Sequence, residues 1–137
     1  MKISIHFFAS IIPVILLFPI YKYLSLAFFI GSFLVDFDHY LWYALRFKKF
    51  NLKKAYKYYL PENKPYKELD ILHIFHVWEF WLIAGTLSFF NNFFFIVFLG
   101  LVFHMLLDLV DLAMHPECKD ERAASFFNWL KRHPKRI

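Results

Sequence analysis

The sequence predicts an all-α integral membrane protein: a bundle of four transmembrane helices with a cytoplasmic basic loop and an amphipathic C-terminal tail. Three observations predict it. Of the 137 residues, 60% are hydrophobic, against roughly 45–50% in an ordinary soluble domain. Four apolar runs, near 3–21, 24–45, 69–90 and 93–115, have the length of about 20 residues that crosses a bilayer. The basic residues gather between alternate runs.

The first run carries no charge and is interrupted only by Pro13 and Pro19. It has no small-x-small cleavage site and a second apolar run follows almost at once, so it reads as a retained helix, not a signal peptide. The second run ends at Arg46. The third and fourth meet at Asn91-Asn92, a turn short enough to make them antiparallel neighbours. Nothing repeats at solenoid spacing. Three glycines and no polar low-complexity tract leave no visible linker, so 1–115 reads as one membrane domain and 116–137 as a basic interfacial tail. In that tail Phe126, Phe127, Trp129 and Leu130 suggest a short helix lying in the interface. The single cysteine, Cys118, excludes an intrachain disulfide and a thiolate metal cage.

If the four helices alternate in direction, Lys2, eight basic residues from Arg46 to Lys67 and six from Lys119 to Arg136 share one face, and only Lys22 lies on the other. Inner-membrane proteins sort charge in this way, with the basic side cytoplasmic. Both termini are therefore expected in the cytoplasm. The same bias accounts for RFKKFNLKKAYKYY and KRHPKRI without nucleic acid, and anionic headgroups are the nearest partner. The aromatic excess, Trp42, Trp78, Trp81 and the Phe89 to Phe98 cluster included, reads as lipid-facing or interfacial bulk.

Against this background the acidic residues are conspicuous. Asp36, Asp38, Glu79, Asp108 and Asp111 fall inside the expected spans, together with His39, His73, His76 and His104. One aspartate at a helix centre costs around 2.5–3.5 kcal/mol on insertion scales, so five require partners. Asp36 to His39 precede Arg46 by seven to ten residues, roughly 10–15 Å at the helical rise. His73 to Glu79 open the third run from the same face, and His104 to Asp111 close the fourth as it returns. One depth shared by residues scattered along the chain points to one site. Within HMLLDLVD, His104, Asp108 and Asp111 follow one helical stripe, and His73, His76 and Glu79 are successive i, i+3 neighbours. Asp36 and His39 are likewise i, i+3. Asp38 is the exception, pointing away from Asp36 on an unbroken helix, so either it supports the site from behind or the backbone near Gly31 to Asp38 departs from a regular helix. Imidazoles and carboxylates in a dry interior suit a divalent ion such as Zn, Mn or Fe.

Two motifs add a resemblance. Gly31-x-x-x-x-Asp36-x-Asp38-His39, then a His-rich third run, then Gly100-x-x-x-His104-x-x-x-Asp108 resembles the inner-membrane-associated metal-dependent hydrolases, some of which are described as LexA-binding. The resemblance runs from about His6 to Asp111. Such proteins are similar, at the level of the fold, to zinc-dependent phospholipase C, whose His-x-x-x-Asp and His-x-x-x-Glu pairs ligate metal and hydrolyse phosphoesters. The chain departs from the family pattern at Val35, where proline is common, and at HIFHVWEF, which replaces His-Arg-x-x-Thr-His-Ser.

What the resemblance implies is a metal-dependent hydrolase. Its ligands would be Asp36, His39, His76, Glu79, His104 and Asp108, around one or two ions, zinc first. Asp38 or His73 would be the general base or an orienting partner, with Asp111 behind the ligands. The ion would activate water and polarise an ester or phosphoester oxygen, and an opening toward cytoplasmic headgroups favours a lipid or lipid-linked substrate. His6 reads as interfacial or as a further ligand, His115 as a helix-end histidine at the negative pole of the dipole, and His133 as a solvated residue of the tail. A small metal or proton transporter using the same groups is the alternative, although the outer halves offer only Ser25, Thr86, Ser88 and the like. A non-catalytic protein with a vestigial site is the third reading.

Overall fold

The computed structural model describes residues 3–59, 71–114 and 123–133. Most of these residues are helical and none lies in a strand, and the chain divides into two compact units, Met1–Val35 with Leu82–Asp120 and Asp36–Trp81 with Glu121–Ile137.

The first unit begins with α1, Ile3–Tyr21, followed by a 3-10 turn at Lys22–Ser25 and α2, Leu26–Ser32. Lys22 takes φ 50°, the left-handed region that side chains usually avoid, and Ser25 Oγ donates to the Lys22 carbonyl at 2.7 Å to hold the turn. The chain then folds back: Phe7 of α1 meets Phe29 and Phe33 edge-on at 5.7 and 5.3 Å between ring centres. The long helix α6, Asn92–Met114, completes the unit. Its Ile96 is buried with Ala27 and Phe28, flanked by Val14, Leu17, Tyr21, Leu24, Val97, Leu99 and Phe103.

Two glycines set the spacing of α2 and α6. A Cβ on Gly31 would overlap Val97 O and approach Leu101 N, and one on Gly100 would overlap Phe28 O and crowd Gly31 Cα. The helices therefore touch backbone to backbone, as small residues permit in membrane bundles. Ser32 follows the first glycine directly and His104 lies one turn beyond the second, so this crossing also brings site residues together.

The helical stretch Ser4–Phe47, which contains the turn at Lys22–Ser25, and α6 are long and apolar enough to cross a membrane. Only 11% and 22% of their most apolar stretches are buried, whereas a core helix of a soluble protein would be mostly covered. Phe8, Ile15, Leu16 and Ile20 of α1 and Leu106, Leu109 and Val110 of α6 all lie exposed. The expected four-span bundle is thus realised only in part. The run at 24–45 is interrupted after α2 by a 3-10 turn at Leu34–Asp36 before α3, Phe37–Phe47. The run at 69–90 is α-helical only in α5, Trp78–Ser88, whose 11 residues rise roughly 16 Å, about half the thickness of a bilayer core.

The second unit pairs α3 with α4, Leu52–Tyr58. Ala44 and Ala55 are buried, and Tyr58 packs on Tyr43 and Phe47 at 5.6 and 5.2 Å between ring centres. The turn between them has Lys48 in the left-handed conformation, Tyr40 OH donating to Phe50 O at 3.1 Å and the Asn51 side chain capping α4 through Lys54 N. A further core gathers Leu72, Val77, Ala123 and Trp129, with Trp42, Phe80, Phe126 and Leu130 packed around it. Trp129 belongs to α7, Phe126–Arg132, so Phe126 and Trp129 of the tail help to build a protein core.

Gly31→Ala or Gly100→Ala is expected to lower stability by about 1–3 kcal/mol, the usual cost of overpacking, despite alanine's better helix propensity. Gly85→Ala, whose Cβ would meet only Phe98 ring atoms at 3.5 Å or beyond, is the control that stays near wild type. Thermal unfolding in detergent, followed by circular dichroism, reads the difference.

Candidate metal centre

The break between α2 and α3 creates the first constellation, in the second unit. Phe33, at φ −122° and ψ −47°, ends α2, and the 3-10 turn that follows shifts the register before α3 begins. Asp38, in the first turn of α3, is consequently buried to 1% exposure instead of pointing outward. Its carboxylate has three donors: His39 Nδ1 at 2.8 Å on Oδ1, then His76 Nδ1 at 2.9 Å and the Phe75 backbone N–H at 3.1 Å on Oδ2. An ionised carboxylate can only accept, so each imidazole carries its proton on Nδ1 and presents a bare Nε2 when neutral. That is the arrangement in which a carboxylate orients metal-binding histidines. His39 Nδ1 also lies 3.5 Å from Asp36 Oδ1.

His73 completes the group. It is 3% exposed, with its ring centre 3.8 Å from that of His39 and 5.7 Å from that of His76. Tyr59 closes on the same rings, edge-on to His39 at 5.1 Å. Asp38, His39 and His73 each offer one ligand atom, all within 4.8 Å of one another, a spacing that can hold a metal ion.

The second constellation belongs to the first unit. His104, on α6, donates from Nδ1 to the Ser32 carbonyl at 3.0 Å, so its Nε2 is bare in the neutral ring. That nitrogen faces Asp108 Oδ2 at 3.7 Å. His6 Nε2 lies 3.3 Å from Asp108 Oδ1, and its ring stacks on His104 with centres 4.3 Å apart. His6 and His104 are buried and Asp108 nearly so. Ser10 Oγ, also buried, donates to the His6 carbonyl at 2.6 Å, whereas His6 Nδ1 makes no hydrogen bond among the described residues. A bare imidazole nitrogen opposite a carboxylate oxygen is two acceptors face to face, which a proton or a metal ion between them would reconcile. His6, His104 and Asp108 also satisfy the 4.8 Å criterion for a shared ion.

The expected site residues thus sort into Asp36, Asp38, His39, His73 and His76 in one unit and His104 and Asp108, joined by His6, in the other. Asp111 is half-buried and falls in none of the groups of ligand-spaced residues among those described. His115 lies outside the described residues. Expected in solution, His133 instead ends α7, donating from Nδ1 to Trp129 O at 3.0 Å and stacking on that indole.

Glu79, expected as a ligand, is engaged elsewhere. Its carboxylate accepts from Ser125 Oγ at 2.6 Å and from the backbone N–H groups of Phe126 and Phe127 at 3.0 and 3.3 Å. The i, i+3 spacing from His76 assumed a continuous helix, but His76 sits in a 3-10 turn and Val77 is extended, which turns Glu79 toward the start of α7. Ser32, Phe75 and Ser125 were not legible as site residues, since two act through the backbone and the third acts on a residue 46 positions away.

Histidine 15N resonances at alkaline pH are expected to report the Nδ1–H tautomer for His39, His76 and His104. Asp38→Ala is expected to release His39 and His76 from that tautomer while His104 keeps it, and to cost about 1–3 kcal/mol for each buried donor left without a partner. Searches of protein-family models, curated proteins and solved structures find no match to this chain.

Proposed function

We propose that the protein is a membrane-bound metal-dependent hydrolase acting on an ester or phosphoester of a lipid or lipid-linked substrate. The observation that carries this reading is Asp38: one buried carboxylate holding two imidazoles by Nδ1, with the ring of a third, His73, centred 3.8 Å from that of His39. Nitrogen and carboxylate donors of this kind fit a borderline divalent ion, zinc first and manganese or iron next. Asp38, His39 and His73 would hold one ion, and His6, His104 and Asp108 offer a second such group. When bound, such an ion supplies an acidified water and polarises an ester or phosphoester oxygen.

The chain's own residues divide the remaining work. Asp38, committed to three donors, orients His39 and His76, and His73 completes the set that would hold the ion. Burial of Asp38 and His73 strengthens their electrostatic contacts, while His39 keeps partial access to the surface. Lipid is the proposed surrounding because the apolar faces of α1 and α6 lie open. Arg46, Lys48, Lys49, Lys53, Lys54 and Lys57, all exposed, lie at and just beyond the end of the first candidate span and suit anionic headgroups of a cytoplasmic leaflet. On the positive-inside rule the protein sits in the inner membrane with both termini cytoplasmic.

A second reading, a proton or metal relay, draws on the buried row His6, Asp108, His104 within membrane-type helices.

Elemental analysis of the detergent-purified protein tests the proposal, beside a His39→Ala/His73→Ala double variant. Stoichiometric Zn, Mn or Fe is expected in the wild type and not in the variant, with turnover of a chromogenic phosphodiester or of phospholipid lost in parallel. Wild-type protein free of metal even after reconstitution would sink the hydrolase reading. Proton flux in liposomes abolished by Asp108→Asn would then favour the relay.

A further inference from the structure

His73 and His76 sit on a segment with little structure of its own. His73 and Val77 are both extended, and the 3-10 turn between them, Ile74–His76, is closed by a single bond from His76 N to His73 O at 3.0 Å. No helical ladder fixes where these imidazoles point. On one side Asp38 holds the segment through Phe75 N and His76 Nδ1.

On the other side lies the C-terminal segment. Ala123 N donates to Ile71 O at 2.9 Å and Trp78 N to Ala124 O at 3.0 Å, so two backbone bonds bracket the histidines. Trp129 is buried with Leu72 and Val77, which flank them. Glu79 fastens this arrangement: its carboxylate gathers the Ser125 hydroxyl and two N–H groups from the first turn of α7. Ser125 Oγ in turn caps Asn128 N at 3.3 Å.

We infer that Glu79 is a positioning residue for the metal centre: by anchoring α7 it clasps the C-terminal segment along residues 71–79 and fixes the directions of His73 and His76. The inference rests on the metal-site reading above. It differs from a ligand role for Glu79 in one respect that can be measured. A ligand acts alone, whereas a clasp fails wherever it is opened, including at Trp129.

The test uses the full-length protein in detergent, titrated with Co2+ and followed by its visible d–d bands, which report the ligand field, together with hydrogen exchange over 71–79. Glu79→Ala and Trp129→Ala are both expected to weaken Co2+ binding by about tenfold to a hundredfold, the range for losing a residue that orients a ligand. Both should also shift the d–d bands and raise exchange across 71–79. Ser125→Ala, which leaves the core intact, is expected to move the same readouts in the same direction by less. Phe127→Ala, at an exposed position on α7, should change neither. If Glu79→Ala weakens Co2+ binding while Trp129→Ala and Ser125→Ala do not, Glu79 is itself a ligand and the positioning role is overturned. Raised exchange with unchanged affinity and spectrum overturns it as well. Wild-type protein that takes up no Co2+ overturns the metal reading itself, and the inference with it.

Discussion

A carboxylate buried as deeply as Asp38 cannot remain ionised without donors, and supplying them organises much of the second unit. Two donors come from the 73–76 segment and one from the neighbouring residue on α3. The carboxylate thus ties a regular helix to an irregular strand of chain nearly forty residues away. Removing the oxygen atoms would leave buried N–H groups unsatisfied, a larger loss than the bonds themselves contribute. The same bonds select one tautomer for both histidines, so a single group sets both packing and imidazole orientation.

In the first unit the equivalent constraint is steric. Gly31 and Gly100 let α2 and α6 approach until backbone meets backbone, and only at that separation does the Ser32 carbonyl reach His104 Nδ1. The carbonyl is available because α2 ends at Ser32, which leaves late carbonyls without intrahelical partners. A helix end that would otherwise be a liability in an apolar environment becomes the group that orients an imidazole.

Much of this was legible in the sequence. The density of His and Asp in apolar runs marked the residues that the structure gathers into ligand-spaced groups, because burying such groups requires mutual pairing whatever the fold. The two apolar stretches that stand as candidate spans were legible for the same reason, through length and composition. Asp38, on the wrong face of an unbroken helix, left a helix break as one of two readings, and the 3-10 turn at Leu34–Asp36 is that break. Glu79 was misleading, since its spacing from His76 carries meaning only on a continuous helix, and nothing local reveals that Val77 is extended. The tail was read as interfacial from its aromatic content. The position of Trp129 in a protein core depends on a partner segment some fifty residues away, which hydropathy cannot register.

The second unit is assembled from two stretches of chain, residues 36–81 and 121–137, with the whole of α6 between them. The histidine-bearing segment is therefore synthesised well before the residues that fasten it, and it has to wait until α6 and the stretch beyond it have been made. A polypeptide stopped short of Ser125 would carry every candidate ligand while lacking the residues that anchor Glu79.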